Sequence, residues 1–269
     1  MFRFPVVSGR FYPGSKTFLE ERIQGMIDAK VAPEEVLGII SPHAGYNFSG
    51  EVAAAAVSRI RFKDIFVIVG PNHTGMGQPY SIQTEGIWRT PLGDAEIDEG
   101  LAQAILAESS CLKNDAAAHM EEHSIEVQLP LLQYFKPDVK FVPIVLAPDP
   151  TLEVYKDVGK SIAKAIKDTG KRVIVMASSD MSHYETHETA KEHDFKAIEA
   201  MLSLDAEGML KNVEKYHITM CGAAPVAAVI TACNELGAKK AELVMYQTSG
   251  DVTGDYYKVV GYASLIIKK

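Results

Sequence analysis

Three turns at the ends of apolar runs carry histidine: Ser41-Pro42-His43-Ala44-Gly45-Tyr46, Gly70-Pro71-Asn72-His73-Thr74-Gly75 and Ser178-Ser179-Asp180-Met181-Ser182-His183. Two neutral imidazoles from neighbouring strand ends make a common half of a transition-metal site. Pro42 fixes one φ, and Ala44-Gly45 keep the far side of the turn small, which suits a presented His43. Taken alone, the same turn would equally let His43 satisfy a backbone carbonyl. In the third turn a carboxylate close to an imidazole can orient it or bind metal itself, and His183 can serve as general acid or base. Asp180 would equally cap a helix beginning near Met181. Cys221 and Gly222 precede a helical stretch from Ala223 to Leu236, whose N-terminus would favour the thiolate that binds metal or attacks electrophiles. Cys111 and Cys233 read as small buried hydrophobes.

A rival signal is His119-Met120-Glu121-Glu122-His123, which matches the HxxEH pattern of inverted zinc peptidases. A helix from Glu121 to Phe135, kinked at Pro130, would start inside the pattern and pull His119 out of register. Glu122, His123 and Glu126 then read as a polar face or as outer groups around the first constellation. His187, His193 and His217 lie among polar neighbours and read as solvated.

The elements that must position these residues alternate between strand and helix. Val36 to Ile40 reads as a buried strand followed by a helix from Gly50 to Ile60 that Ser49 could cap, and Ile65 to Val69 as a strand closed by Gly70-Pro71. Tyr80 to Thr84 reads as an edge strand and Asp98 to Ala107 as a helix. Val139 to Leu146 contains a strand, and Leu152 to Lys167 a helix ended by Gly170. Arg172 to Ala177 is a further strand running into the Asp180 turn. Helices follow around Ala190 to Leu202, Ala206 to Lys215 and Ala223 to Leu236, and the strand-like runs Ala241 to Gln247 and Tyr257 to Ile267 close the chain. The alternation predicts a three-layer α/β/α sandwich with a mixed, mostly parallel sheet, and no linker or repeat divides residues 1–269 into more than one domain. In such sheets ligands bind outside the carboxyl ends of the strands, so the three turns can converge.

Composition narrows the function. The 269 residues are 47% hydrophobic and 23% charged, ordinary globular usage. A net charge of -8 gives no basic field for phosphate backbones, so nucleic acid is not an expected partner. Three cysteines without CxxC spacing indicate neither a disulfide framework nor a zinc ribbon, and point to a reducing cytoplasm. No leader pattern is evident at the N-terminus, and no apolar run approaches the length of a membrane span.

Read in order, SPHAGY, GPNHTG, EEHSIEVQLP, SSDMSH and YHITMCG resemble the Memo family over nearly the whole chain, with Gly9-Arg10-Phe11-Tyr12-Pro13 and Trp88-Arg89-Thr90-Pro91-Leu92 in keeping. That family is similar to the class III extradiol dioxygenases, non-heme iron enzymes with the metal at the strand ends of an α/β fold. The resemblance implies His43, His73 and Cys221 as metal ligands, with Asp180 and His183 as acid-base or metal-proximal groups. It further implies iron-dependent redox chemistry on a small substrate. Cys221 stands where the dioxygenases carry a glutamate, and a softer donor would also suit copper. Two other expectations stand beside it: a non-catalytic pocket for a peptide or phosphopeptide, as in the family's eukaryotic signalling roles, and a zinc peptidase of HxxEH type.

Overall fold

The computed structural model describes residues 1–27, 31–149 and 151–269. In chain order the elements are β1 (Phe2–Arg3), α1 (Lys16–Gln24), β2 (Gly38–Ser41), α2 (Tyr46–Ser58), β3 (Ile65–Pro71), β4 (Tyr80–Ile82), β5 (Ile87–Thr90), β6 (Gly93–Ile97), α3 (Glu99–Glu108) and β7 (Lys113–Asn114). After a 3-10 turn at Ala117–His119 come α4 (Gln128–Phe135), β8 (Lys140–Leu146), α5 (Leu152–Thr169), β9 (Val173–Ser178) and β10 (His183–Glu185). The chain ends with α6 (His187–Leu202), α7 (Ala206–Lys215), α8 (Ala223–Glu235), β11 (Lys240–Thr248), α9 (Ser249–Thr253) and β12 (Val259–Lys268).

The main path through the sheet runs β1-β5-β6-β8-β3-β9-β2-β12-β10. From β6 to β2 every neighbour is parallel, while β12 turns antiparallel against β2, β11 and β10. Every residue of β2, β3 and β9 is buried, as expected of parallel strands covered on both faces. The β-branched and aromatic runs fit that environment: Phe66, Val67, Ile68 and Val69 are fully buried, each contributing roughly 1.5–3 kcal/mol. Helices α5 and α8 pack together, α8 also against β9 and β3, while α2 lies on β2, β11 and β12 with α4 beside it. The result is the expected three-layer α/β/α sandwich with a mixed sheet.

Several local expectations are corrected. Strand β3 does not stop at Gly70-Pro71 but pairs with β8 as far as Pro71↔Leu146. It leaves β9 after Val69, so the proline's missing N–H interrupts no bond on that side. Helix α2 begins at Tyr46, whose N–H is satisfied by the Phe11 carbonyl at 2.7 Å, and Ser49 lies inside it instead of capping it. The expected helix from Glu121 starts only at Gln128, with Pro130 in its first turn, where no intrahelical N–H is needed. No helix follows Asp180; the chain enters β10. The Trp88 stretch forms a hairpin of β5 and β6.

Candidate metal centre

Strands β2, β9 and β3 lie side by side and parallel, so their C-terminal ends open on one edge. His43, Asp180 and His73 each stand two residues past the end of their strand. The rings of His43 and His73 meet edge to face, with centroids 5.2 Å apart. A third imidazole joins them: His123 stacks on His73 at 4.8 Å and meets His43 at 5.5 Å. One nitrogen from each of His43, His73 and His123 lies within 4.8 Å of the others, a group able to hold a metal ion.

The hydrogen bonds behind these rings decide which nitrogens are free. Ser178 Oγ donates to the Ser124 carbonyl at 2.7 Å and accepts from Gln128 Nε2 at 2.9 Å. Its one proton is thus used, so His43 Nδ1, 2.9 Å away, must donate, leaving Nε2 unprotonated and able to accept. His73 Nδ1 lies 2.9 Å from Glu122 Oε1 and donates to it, which frees Nε2 likewise. Glu122 is fully buried and also accepts the backbone N–H groups of His73 (2.6 Å) and Ser124 (2.8 Å). Although burial alone would raise its pKa, these donors and the His123 ring beside it hold the carboxyl down to about 2. Burial lowers the pKa of His43 and of His123, so both imidazoles are neutral at ordinary pH, the form that binds metal.

Asp180 Oδ1 accepts N–H from His43 at 2.8 Å and from Ala44 at 3.3 Å, which ties the β9 turn to the β2 turn. Burial raises its pKa against the pull of these donors. His183 sits at the neighbouring rim, its N–H donated to Thr219 Oγ1 at 2.6 Å and its Nδ1 2.9 Å from the Thr219 carbonyl. A carbonyl only accepts, so Nδ1 carries the proton and Nε2 is open.

Cys221 is in the same place, its Sγ 3.3 Å from His43 Nε2. The expectation of a thiolate is reversed: burial first, and then the charge of Asp180, push the thiol pKa far up, overriding the start of α8. Cys221 touches His43 yet does not belong to the three-imidazole group. Gly222 allows this approach, since a Cβ there would lie 2.3 Å from Ser179 Cβ.

The HxxEH pattern is broken apart. His119 turns into the core, fully buried, with its ring edge on Trp88 and Nε2 3.2 Å from Ser81 Oγ. Arg3 holds the segment in that shape: its guanidinium stacks over Trp88 and donates to the His119 carbonyl (2.7 Å), the Glu122 carbonyl (2.7 Å) and Glu126 Oε2 (2.8 Å). Glu126 also accepts from the Val6 and Val7 N–H groups and the Tyr12 hydroxyl. Sequence reasoning read Glu122, His123 and Glu126 alike as a polar face or as outer groups, and so missed His123 as an imidazole facing the cleft. The one signal for it was its place in a histidine motif, and that motif pointed to the wrong partner. Of the solvated histidines, His217 is exposed, whereas His187 and His193 are half-buried against Thr248 and Glu185.

Comparison with known proteins gives the family and the fold. A family model described as "Memo-like protein" matches residues 3–266. A MEMO1 family protein of Methanopyrus kandleri is 40% identical over 283 residues, covering 100% of both chains. Another, of Methanococcoides burtonii, is 43% identical and covers 99% of this chain and 100% of its own. The crystal structure of an uncharacterized protein from Escherichia coli K12 superimposes with a TM-score of 0.55 at 14% identity, covering 86% of this chain and 100% of its own, and so shares the fold. With a match over almost its full length and relatives of the same extent, the chain belongs to the Memo-like protein family.

Proposed function

We propose that this protein is a metal-dependent oxidoreductase acting on a small substrate, with iron as its metal and copper or zinc as the alternatives. The observation that carries the reading is the convergence of His43, His73 and His123, with the unprotonated ring nitrogens of His43 and His73 assigned by the bonds behind them. Imidazole sets suit all three metals, and Cys221 beside His43 adds a soft donor that favours iron or copper over the harder ions. A redox-active ion held here would supply electron transfer with open positions for substrate. The protein's own part follows from its contacts. Glu122 orients His73 and supplies negative charge behind it. Asp180 holds the His43 turn, and His183, with Nε2 free and Nδ1 anchored, moves a proton at the rim. With His119 turned into the core, nothing supports the peptidase reading.

Anaerobic reconstitution with Fe(II), Cu(I) and Zn(II), followed by metal analysis, tests this. The expected result is uptake of iron that His43→Ala and His73→Ala abolish. No uptake of any of these metals, or uptake unchanged in both variants, sinks the proposal. Cobalt substitution identifies the third donor: a thiolate-to-cobalt charge-transfer band assigns Cys221, and its absence together with loss of uptake in His123→Ala assigns His123. Metal-free protein that takes up no metal but binds phosphotyrosine peptides in calorimetry would turn the cleft into a recognition pocket.

A further inference from the structure

We propose that a groove lined in part by Cys221 holds the body of the substrate, and that it takes an apolar molecule whose polar end is neutral or cationic. This rests on the metal-centre reading above. The groove has a volume of about 650 Å3, within the usual span of small-molecule sites. It forms where α5, α7 and the start of α8 meet the C-terminal end of β8. Leu146, Tyr155, Leu210, Val213 and Met220 give it an apolar lining.

Two residues join the groove to the imidazoles. Cys221 lines it, and Cys221 Sγ lies 3.3 Å from His43 Nε2. Leu146 lines it as well, and its carbonyl accepts the Asn72 N–H at 3.1 Å, one residue before His73. A molecule lying against Cys221 has one end a single side chain away from His43.

Charge decides the class of ligand. Four carboxylates (Asp149, Glu153, Glu207, Glu214) and two ammonium groups (Lys156, Lys211) edge the groove. Both lysines are paired within it, Lys156 to Glu153 at 3.2 Å and Lys211 to Glu207 at 2.8 Å. Asp149 and Glu214 remain as surplus acid, on a chain whose net charge is already -8. An anionic head is therefore repelled, while an ammonium is drawn in and a hydroxyl tolerated.

Calorimetry on the full chain with octylamine, octanol and octanoate tests the assignment. Octylamine and octanol are expected to bind, and octanoate about ten-fold more weakly or worse. Leu210→Trp, a half-buried position on α7 where a larger ring fills the groove, should weaken octylamine by about ten-fold while metal uptake stays as in the parent protein. In Co(II)-loaded protein the proton resonances of bound octylamine should show paramagnetic shifts that grow progressively toward one end of the molecule. Equal binding of octanoate and octylamine, no binding of either, unchanged affinity in Leu210→Trp, or paramagnetic shifts that are uniform along the chain or absent overturns the proposal. Failure to take up metal overturns the metal-centre reading instead, and the calorimetric comparison still decides whether the groove selects apolar amines and alcohols.

Discussion

His43 and His73 reach the cleft by one route and His123 by another. The first pair stand just past the ends of parallel, fully buried strands, so the sheet itself sets their positions. His123 comes from an irregular stretch between Ala117 and Val127, placed by Arg3 and Glu126, which are 123 residues apart in sequence. A strand end can be encoded by a few consecutive residues. A loop this close to the core needs distant partners for its backbone groups, and it inherits their fragility.

The largest effect that would break this contrast is expected from Arg3→Ala. It strands the Glu126 carboxylate in the core, where the pair is only 1% exposed on either side, and should cost about 3–5 kcal/mol in urea unfolding. Unchanged stability would mean that the loop is held by something else. Next comes Glu122→Gln, which removes the charged acceptor behind His73. Metal affinity should fall about 10–100-fold with the circular dichroism spectrum intact, and an unaltered affinity would remove Glu122 from the centre.

The two histidines of the broken motif should behave in opposite ways. His119→Ala should lower stability by about 0.5–3 kcal/mol through its packing on Trp88 while metal uptake is unaffected. His123→Ala should show the reverse pattern, and matching behaviour of the two variants would erase the distinction.

The smallest and most graded effect is with pH. Burial keeps His43 and His123 below the ordinary histidine pKa and holds His119 down to about 3, so the unfolded chain, titrating at about 6.5, takes up protons first. Stability of the metal-free protein should therefore fall as pH drops below about 6.5. Glu122, held at about 2 in the fold against about 4.3 when unfolded, contributes stability that is present above pH 4.3 and lost from there down to about 2. Urea midpoints across this range should show both segments in the parent protein, with the lower one weakened in Glu122→Gln.

Much of the fold was legible because its central strands are short β-branched runs bounded by breakers, and its later helices carry clear periodicity. Less was legible at the N-terminal side, where β1, α1 and the β5–β6 hairpin carry weak patterns, and at the Glu121–Val127 stretch, whose local composition favoured a helix that tertiary contacts override. The thiolate expected at Cys221 failed for a reason of magnitude: a helix terminus contributes at most about 2 kcal/mol. Desolvation beside Asp180 outweighs that.

The residues alone were enough for the alternation that makes an α/β sheet, the family, and the convergence of His43, His73, Asp180 and His183 at its carboxyl edge, because strand-end turns are local and parallel strands align them. It takes the packed fold to bring His123 into the imidazole set, to turn His119 away from it, to use Asp180 in a turn and not a helix, and to push the Cys221 thiol pKa up by burial. Each of these depends on a partner distant in the chain or on burial, and neither is written in the residues next to the site.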